Sequence, residues 1–367
     1  NTTLRMVIKK ITKVTLCIIA IIAVFSLFMA WRIGYFVDIQ ELKPKTCEAI
    51  NLSGSTEDID IDYKNGIAYL SILDRQSLIL GEDVRGTIGM INLRERPLKV
   101  ENAIKDLVLE NFRPHGISLL DDQLVVINHP KQRGIDLESV EIFSIEKNRT
   151  LIHQKSIASE LFDSPNDLVL VEEDKFYVGN DKDLSLSSFE KIQEQMGRPY
   201  SSIAYYDGSD ISIAIDNLSS VSGIDAVNNQ YILASETNAK RLAILKRDTE
   251  SGVLKKIKTF SLNGSPDNIN AFGESILVAQ IPSVFALIQH FIALQKGEYI
   301  PSPSKIERLT WSESSNDLEK ETKLLFLSEG NDFSTASVGA VWEDTLLIGS
   351  ITDKKVYICR LNEYEQE

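Results

Sequence analysis

One pattern recurs six times along this chain: a polar doublet at the head of an apolar strand, with a second apolar strand beginning about 8 or 9 residues later. The copies open Glu57-Asp58-Ile59-Asp60-Ile61, His115-Gly116-Ile117-Ser118-Leu119, Asn166-Asp167-Leu168-Val169-Leu170, Ser222-Gly223-Ile224-Asp225-Ala226, Asp267-Asn268-Ile269-Asn270-Ala271 and, more loosely, Ser337-Val338-Gly339-Ala340-Val341. The second strands include Gly66-Ile67-Ala68-Tyr69-Leu70, Leu124-Val125-Val126-Ile127 and Phe176-Tyr177-Val178-Gly179. The first five copies start 58, 51, 56 and 45 residues apart. A period near 50 with two or more strands per unit means a propeller of sheets, and six units fill the chain. The expected fold is therefore all-β: a six-bladed β-propeller with a transmembrane helix before it. A closed ring places the start of each innermost strand beside a central channel, so doublets far apart in sequence converge at one end of it.

The ring claims almost all of the 367 residues, and no second domain is required. A net charge of −14 disfavours a nucleic-acid groove, which needs a clustered Lys/Arg face, and suits divalent cations instead. From Val14 to Trp31 the chain has 18 residues without a charge, enough at about 1.5 Å per residue to cross a hydrocarbon core. A cleaved signal sequence is the competing reading, but the run is longer than a usual signal core and no small-x-small site follows it. Arg5, Lys9, Lys10 and Lys13 precede it and only Arg32 follows closely. That bias keeps the short N-terminus cytosolic and puts the rest in the lumen or outside the cell. The expected division is a cytosolic stub (1–13), a signal-anchor helix (14–36), a tether (37–46), the propeller (47–360) and a C-terminal tail (361–367).

Translocation agrees with sequons at Asn51, Asn148, Asn217 and Asn263, each a candidate glycan site. Cys17 lies in the apolar run, leaving Cys47 before the first repeat and Cys359 after the last. One pair at the two ends of a ring suggests a disulfide fastening the closure in an oxidising compartment; two unrelated thiols is the alternative. The repeat is interrupted between Ile281 and Trp311 by about 20 extra residues, including the nearly all-apolar Val284–Leu294. Such a helix must be covered by core packing, by the channel mouth as a lid, or by lipid. Its His290 reads as a helix-surface histidine.

No Gly-x-Ser-x-Gly elbow, phosphate-cradling glycine loop or zinc spacing occurs. The convergent ends supply Glu57, Asp58, Asn166, Asp167, Asp267 and Asn268, with His115 and Ser222 from the other two copies. Carboxylate and amide oxygens from separate strands are what calcium takes, and four carboxylates neutralise two Ca2+ ions. Asp and Asn as plain turn formers at strand starts is the bland alternative. His115 and His129 belong to one repeat, one opening its inner strand and the other closing the adjacent strand. A histidine with a histidine neighbour beside a metal serves as general base toward water.

Several separated motifs now resemble one family. Phe112-Arg113-Pro114-His115-Gly116-Ile117-Ser118, Val125-Val126-Ile127-Asn128-His129-Pro130, Thr56-Glu57-Asp58, Pro165-Asn166-Asp167, Pro266-Asp267-Asn268 and Leu346-Leu347-Ile348-Gly349 look like the motifs of the paraoxonase/arylesterase family, from about Cys47 to Cys359. The resemblance implies a six-bladed propeller with two calcium ions, hydrolysing aryl esters and lactones. It implies that Glu57, Asn166, Asp267 and Asn268 hold a catalytic calcium, and that Asp58, Asp167 and the Ile117 carbonyl hold a buried structural one. His115 and His129 match the family's proposed dyad, with His115 as base, and Cys47 with Cys359 match its disulfide. The chain departs from the family at three places: Ser222 replaces an asparagine ligand, and Lys182 and Ile281 stand where histidines are expected. The expected function is a membrane-anchored, calcium-dependent hydrolase acting on small-molecule esters or lactones, with no nucleic acid and with membrane contact through the N-terminal helix and Val284–Leu294. The alternative is a catalytically weak propeller serving as a membrane-bound chaperone or binding protein.

Overall fold

A computed structural model describes residues 2–104, 106 and 109–362; residue 1 of the expected stub and 363–367 of the expected tail lie outside these. Six antiparallel sheets follow one another along the chain. The innermost strands of blades one to six are Ser55–Asp62, Pro114–Leu120, Pro165–Glu172, Val221–Val227, Ser265–Phe272 and Ala336–Trp342. Each pairs with the strand that follows it in sequence, as the repeat predicts. The last blade takes its outermost strand, Cys47–Asn51, from the other end of the ring. Cys47 faces Cys359 across that pairing, and the two form a disulfide spanning 312 residues of chain.

The apolar faces of the strands explain why the ring closes. The core is six clusters, each built between two adjacent blades: Tyr69, Phe112 and Phe143 between blades one and two, for example, and Ile59, Val338 and Ile358 between six and one. A blade is buried on both faces and so depends on both neighbours.

Among the described residues four α-helices depart from the sheets: α1 (Thr2–Arg32), α2 (Arg75–Ile79), α3 (Ser188–Gln195) and α4 (Val284–Leu294). Within α1, Lys10–Arg32 has a mean hydropathy of 2.6, its apolar window is not buried, and it is long and apolar enough to cross a membrane. The helix stops at Arg32, whereas the apolar-segment reading ran to residue 36. Residues 33–36 turn and lie against the propeller: the Ile33 carbonyl accepts from Phe285 N at 2.9 Å and the Gly34 carbonyl from the Ser283 hydroxyl at 2.9 Å. Ser283 also caps α4 by accepting from Ala286 N. The helix buries Ala293 and Leu294 and turns Ile288 and Ile292 outward. His290 is not on its surface. The segment after α4 and a turn of blade six cover it, placing its Nδ1 2.5 Å from the Ile300 carbonyl and its Nε2 2.8 Å from the Thr352 hydroxyl.

Candidate metal and hydrolase site

All six innermost strands slip register at or beside their doublets, between Thr56 and Ile59, Pro114 and Ile117, Pro165 and Asp167, Val221 and Ile224, Pro266 and Ile269, and Ala336 and Val338. A bulge bends the strand and re-aims its side chains. From blade one to blade five, doublets with two long side chains alternate with doublets containing glycine, and blade six has Ser337-Val338. A β-carbon on Gly116 would lie 2.7 Å from the Asn166 carbonyl, and one on Gly223 would lie 2.3 Å from the Asp267 carbonyl. Those two glycines let the doublets of blades three and five press inward against their neighbours.

The result is a layer of oxygen ligands. Glu57, Asp267, Asn268 and Ser222 are buried and Asn166 is partly so. Asn268 Nδ2 donates to both the Glu57 carbonyl and its Oε1, each at 3.0 Å, and Ser337 donates to the same carbonyl at 2.6 Å. Three buried oxygens of this layer have no hydrogen-bond partner: Glu57 Oε2, Asn166 Oδ1 and Asn268 Oδ1. Buried acceptors are rarely left so. Burial and the charge of Asp267 push the Glu57 carboxyl up to about 8. Burial and the charge of Asp58 do the same to Asp267. Among the described residues no three His, Cys, Asp or Glu side chains form a metal-binding group; the oxygens of this layer are carboxylates, amides and a hydroxyl. That composition suits calcium and not zinc. The Ser222 and Thr237 hydroxyls are 2.8 Å apart, and Thr237 also reaches the Pro266 carbonyl at 2.7 Å. Thr237 is the donor in both contacts, so the Ser222 hydroxyl accepts from it.

A second layer lies one residue further along the strands. Asp58 accepts from Ile59 N and Ile117 N at 2.8 and 2.7 Å, and Asp167 from Leu168 N and Ile224 N at 2.8 Å each. Both carboxyls are held well above their usual range, by burial first and then by the charges of Glu57 and Asp58. They line, with Ile117, Asp60, Asp225 and Asn270, a cavity of about 10 Å³, room for one water-sized or ion-sized occupant. Asp60 and Asp225 were not singled out from the sequence. Asp60 was within reach, because it follows Asp58 by two positions and therefore shares its face of the strand. Each reaches a backbone N–H of the next blade, Leu119 at 2.7 Å and Ala271 at 2.6 Å.

The two histidines do meet: the rings of His115 and His129 are 4.7 Å apart, and His115 Nε2 is 3.7 Å from the orphaned Glu57 Oε2. Burial, with surrounding positive charge, holds both imidazoles well below their ordinary range, hence neutral at pH 7. Two contacts escaped the sequence reading. Arg75, buried on α2, stands 3.4 Å from His115 Nδ1, and Glu138 takes His129 Nδ1 at 2.6 Å. Nothing in the local pattern around either residue marks it, since each arrives from a connecting segment. Lys182 pairs with Asp181 at 3.1 Å, and Ile281 ends the second strand of blade five. Asn51, Asn148, Asn217 and Asn263 are all exposed.

A family model described as arylesterase matches residues 38–361. The chain belongs to the arylesterase family. Two curated relatives of this chain are a serum paraoxonase/arylesterase 2 of Canis lupus familiaris, 28% identical with 88% of this chain and 91% of the relative covered, and a serum paraoxonase/lactonase 3 of Rattus norvegicus, 27% identical with 90% and 93% covered. Among solved structures a luciferin-regenerating enzyme superposes with a TM-score of 0.51 at 13% identity, covering 88% of this chain and 97% of that one, a likeness of fold alone.

Proposed function

We propose that this arylesterase-family chain is a membrane-anchored, calcium-dependent hydrolase of aryl esters or lactones. The observation that carries the reading is the set of three orphaned buried oxygens, Glu57 Oε2, Asn166 Oδ1 and Asn268 Oδ1, on the innermost strands of three blades, with Glu57 Oε2 3.7 Å from His115 Nε2. Glu57, Asn166, Asp267 and Asn268, with Ser222 as a weaker neutral donor, would hold the catalytic ion; Asp58, Asp167 and the Ile117 carbonyl would hold a second, structural one. When bound, the catalytic ion supplies a Lewis acid that polarises the substrate carbonyl and stabilises the charge developing on its oxygen.

The chain supplies the rest. His115, neutral and 3.7 Å from Glu57 Oε2, takes the proton of the attacking water at one of its ring nitrogens. His129 orients that ring, and the pair returns the proton to the departing alkoxide or phenoxide, so that water is divided between acid and alcohol. Arg75 fixes the position of this face by donating to the Pro114 carbonyl at 2.9 Å. The anchor would be the Lys10–Arg32 part of α1, with a tether up to residue 46, a propeller at 47–360 facing the lumen or the outside, and glycans on the four exposed asparagines. The Cys47–Cys359 disulfide supports an oxidising location.

The test is hydrolysis of phenyl acetate and of a simple lactone by the full chain, with and without EGTA. Turnover abolished by EGTA is expected, and Ser222→Asn should raise it. If neither wild type nor Ser222→Asn hydrolyses any ester, the propeller acts as a binding protein or chaperone and the hydrolase reading fails.

A further inference from the structure

The histidine pair lies in a basic neighbourhood. His129 faces Arg133, Arg75, Lys182 and Arg113, and His115 faces Arg75 across 3.4 Å. A proton added to this pair meets positive charge on most sides. The carboxylate that touches the pair away from the metal ligands is Glu138, with Oε2 2.6 Å from His129 Nδ1 and a side chain almost wholly buried. Its other oxygen accepts from Arg133 Nε at 2.8 Å, and Arg133 leans on the Ser164 hydroxyl at 3.4 Å. The charges of Asp181 and Asp163 act on Glu138 as well. Burial pushes the Glu138 carboxyl up to about 7, against the opposing pull of Arg133. In its ionised, Arg133-bonded form it can only accept, which puts the proton between Glu138 and His129 on Nδ1. His129 Nε2 then carries the lone pair, and it is buried without a partner.

We propose that Glu138, clamped by Arg133, is a positioning residue for the histidine pair: it fixes His129 as the Nδ1–H tautomer with Nε2 open. Glu138 does not touch substrate. This is the logic by which a buried carboxylate fixes a catalytic imidazole elsewhere. It rests on the hydrolase reading for its kinetic consequence but not for its tautomer.

Two measurements test it. In the calcium-loaded full chain, Glu138→Gln should lower kcat for phenyl acetate roughly 10–100-fold with KM within about twofold, the cost usual for groups that orient a site from outside. Glu138→Asp should recover part of the rate. Only four histidines occur, so 15N-histidine NMR of wild type, with and without calcium, reads the second point: His129 should be the Nδ1–H tautomer. Glu138→Gln within twofold of wild type overturns the proposal, as does an Nε2–H His129 in wild type. Absence of all wild-type turnover would sink the hydrolase reading and leave the tautomer to decide Glu138.

Discussion

Gly116 lies against Asp167 so closely that a β-carbon on the glycine would be 2.7 Å from the Asp167 Cα and from its Oδ1. Backbone and a buried carboxylate cannot retreat together, so Gly116→Ala must push blade three away from blade two. The variant should lose about 1–3 kcal/mol of stability, as overpacked sites do. It should also lose most of any calcium-induced rise in Tm, because Asn166 moves with Asp167. Urea unfolding and thermal scans with and without calcium check both.

Closure of the ring rests on the Cys47–Cys359 bond as well as on strand pairing. The chain-entropy model assigns a loop of this size roughly 5–6 kcal/mol, and removal of native disulfides typically costs about 2–5 kcal/mol. The double variant Cys47→Ala/Cys359→Ala should therefore show a lower urea midpoint by an amount in the latter range, with blade six the first to become protease-sensitive.

A pH signature independent of the channel comes from Glu236 in blade four. Burial pushes its carboxyl up, but Arg241 at 2.6 Å and Lys256 at 3.1 Å more than offset that and leave it below the usual value. A carboxyl whose folded value is depressed contributes stability that is present above the unfolded value, about 4.3, and is lost as pH falls through the folded one. Glu236→Gln should lower Tm at pH 7, and the gap from wild type should close below about pH 4. Melting curves across pH 3 to 8 measure it.

The ring and its number of blades were legible because a doublet and two apolar strands recur at nearly even spacing, and each piece of that pattern is local. Glu57, Asp58, Asn166, Asp167, Asp267 and Asn268 could be picked out for the same reason: each sits at a fixed place in the repeat. The alternation of Gly116 and Gly223 with bulkier doublets has its meaning only across blades, where one strand meets the next. Arg75 and Glu138 carry no local mark at all, since α2 and the segment after His129 reach the channel through tertiary placement. His290 misled for a related reason, its cover being supplied by Ile300 and by Thr352 of blade six.

The most direct measurement is a calcium titration of the full chain followed by thermal unfolding, beside Glu57→Gln. Side chains from separate blades come together only in the folded ring, so binding is folding free energy and Tm must rise with calcium, by about 2.7 kcal/mol of stabilisation at a hundredfold excess over Kd. The account predicts that rise in wild type, its reversal by EGTA, and a reduced rise in Glu57→Gln. A Tm indifferent to calcium in wild type would contradict it.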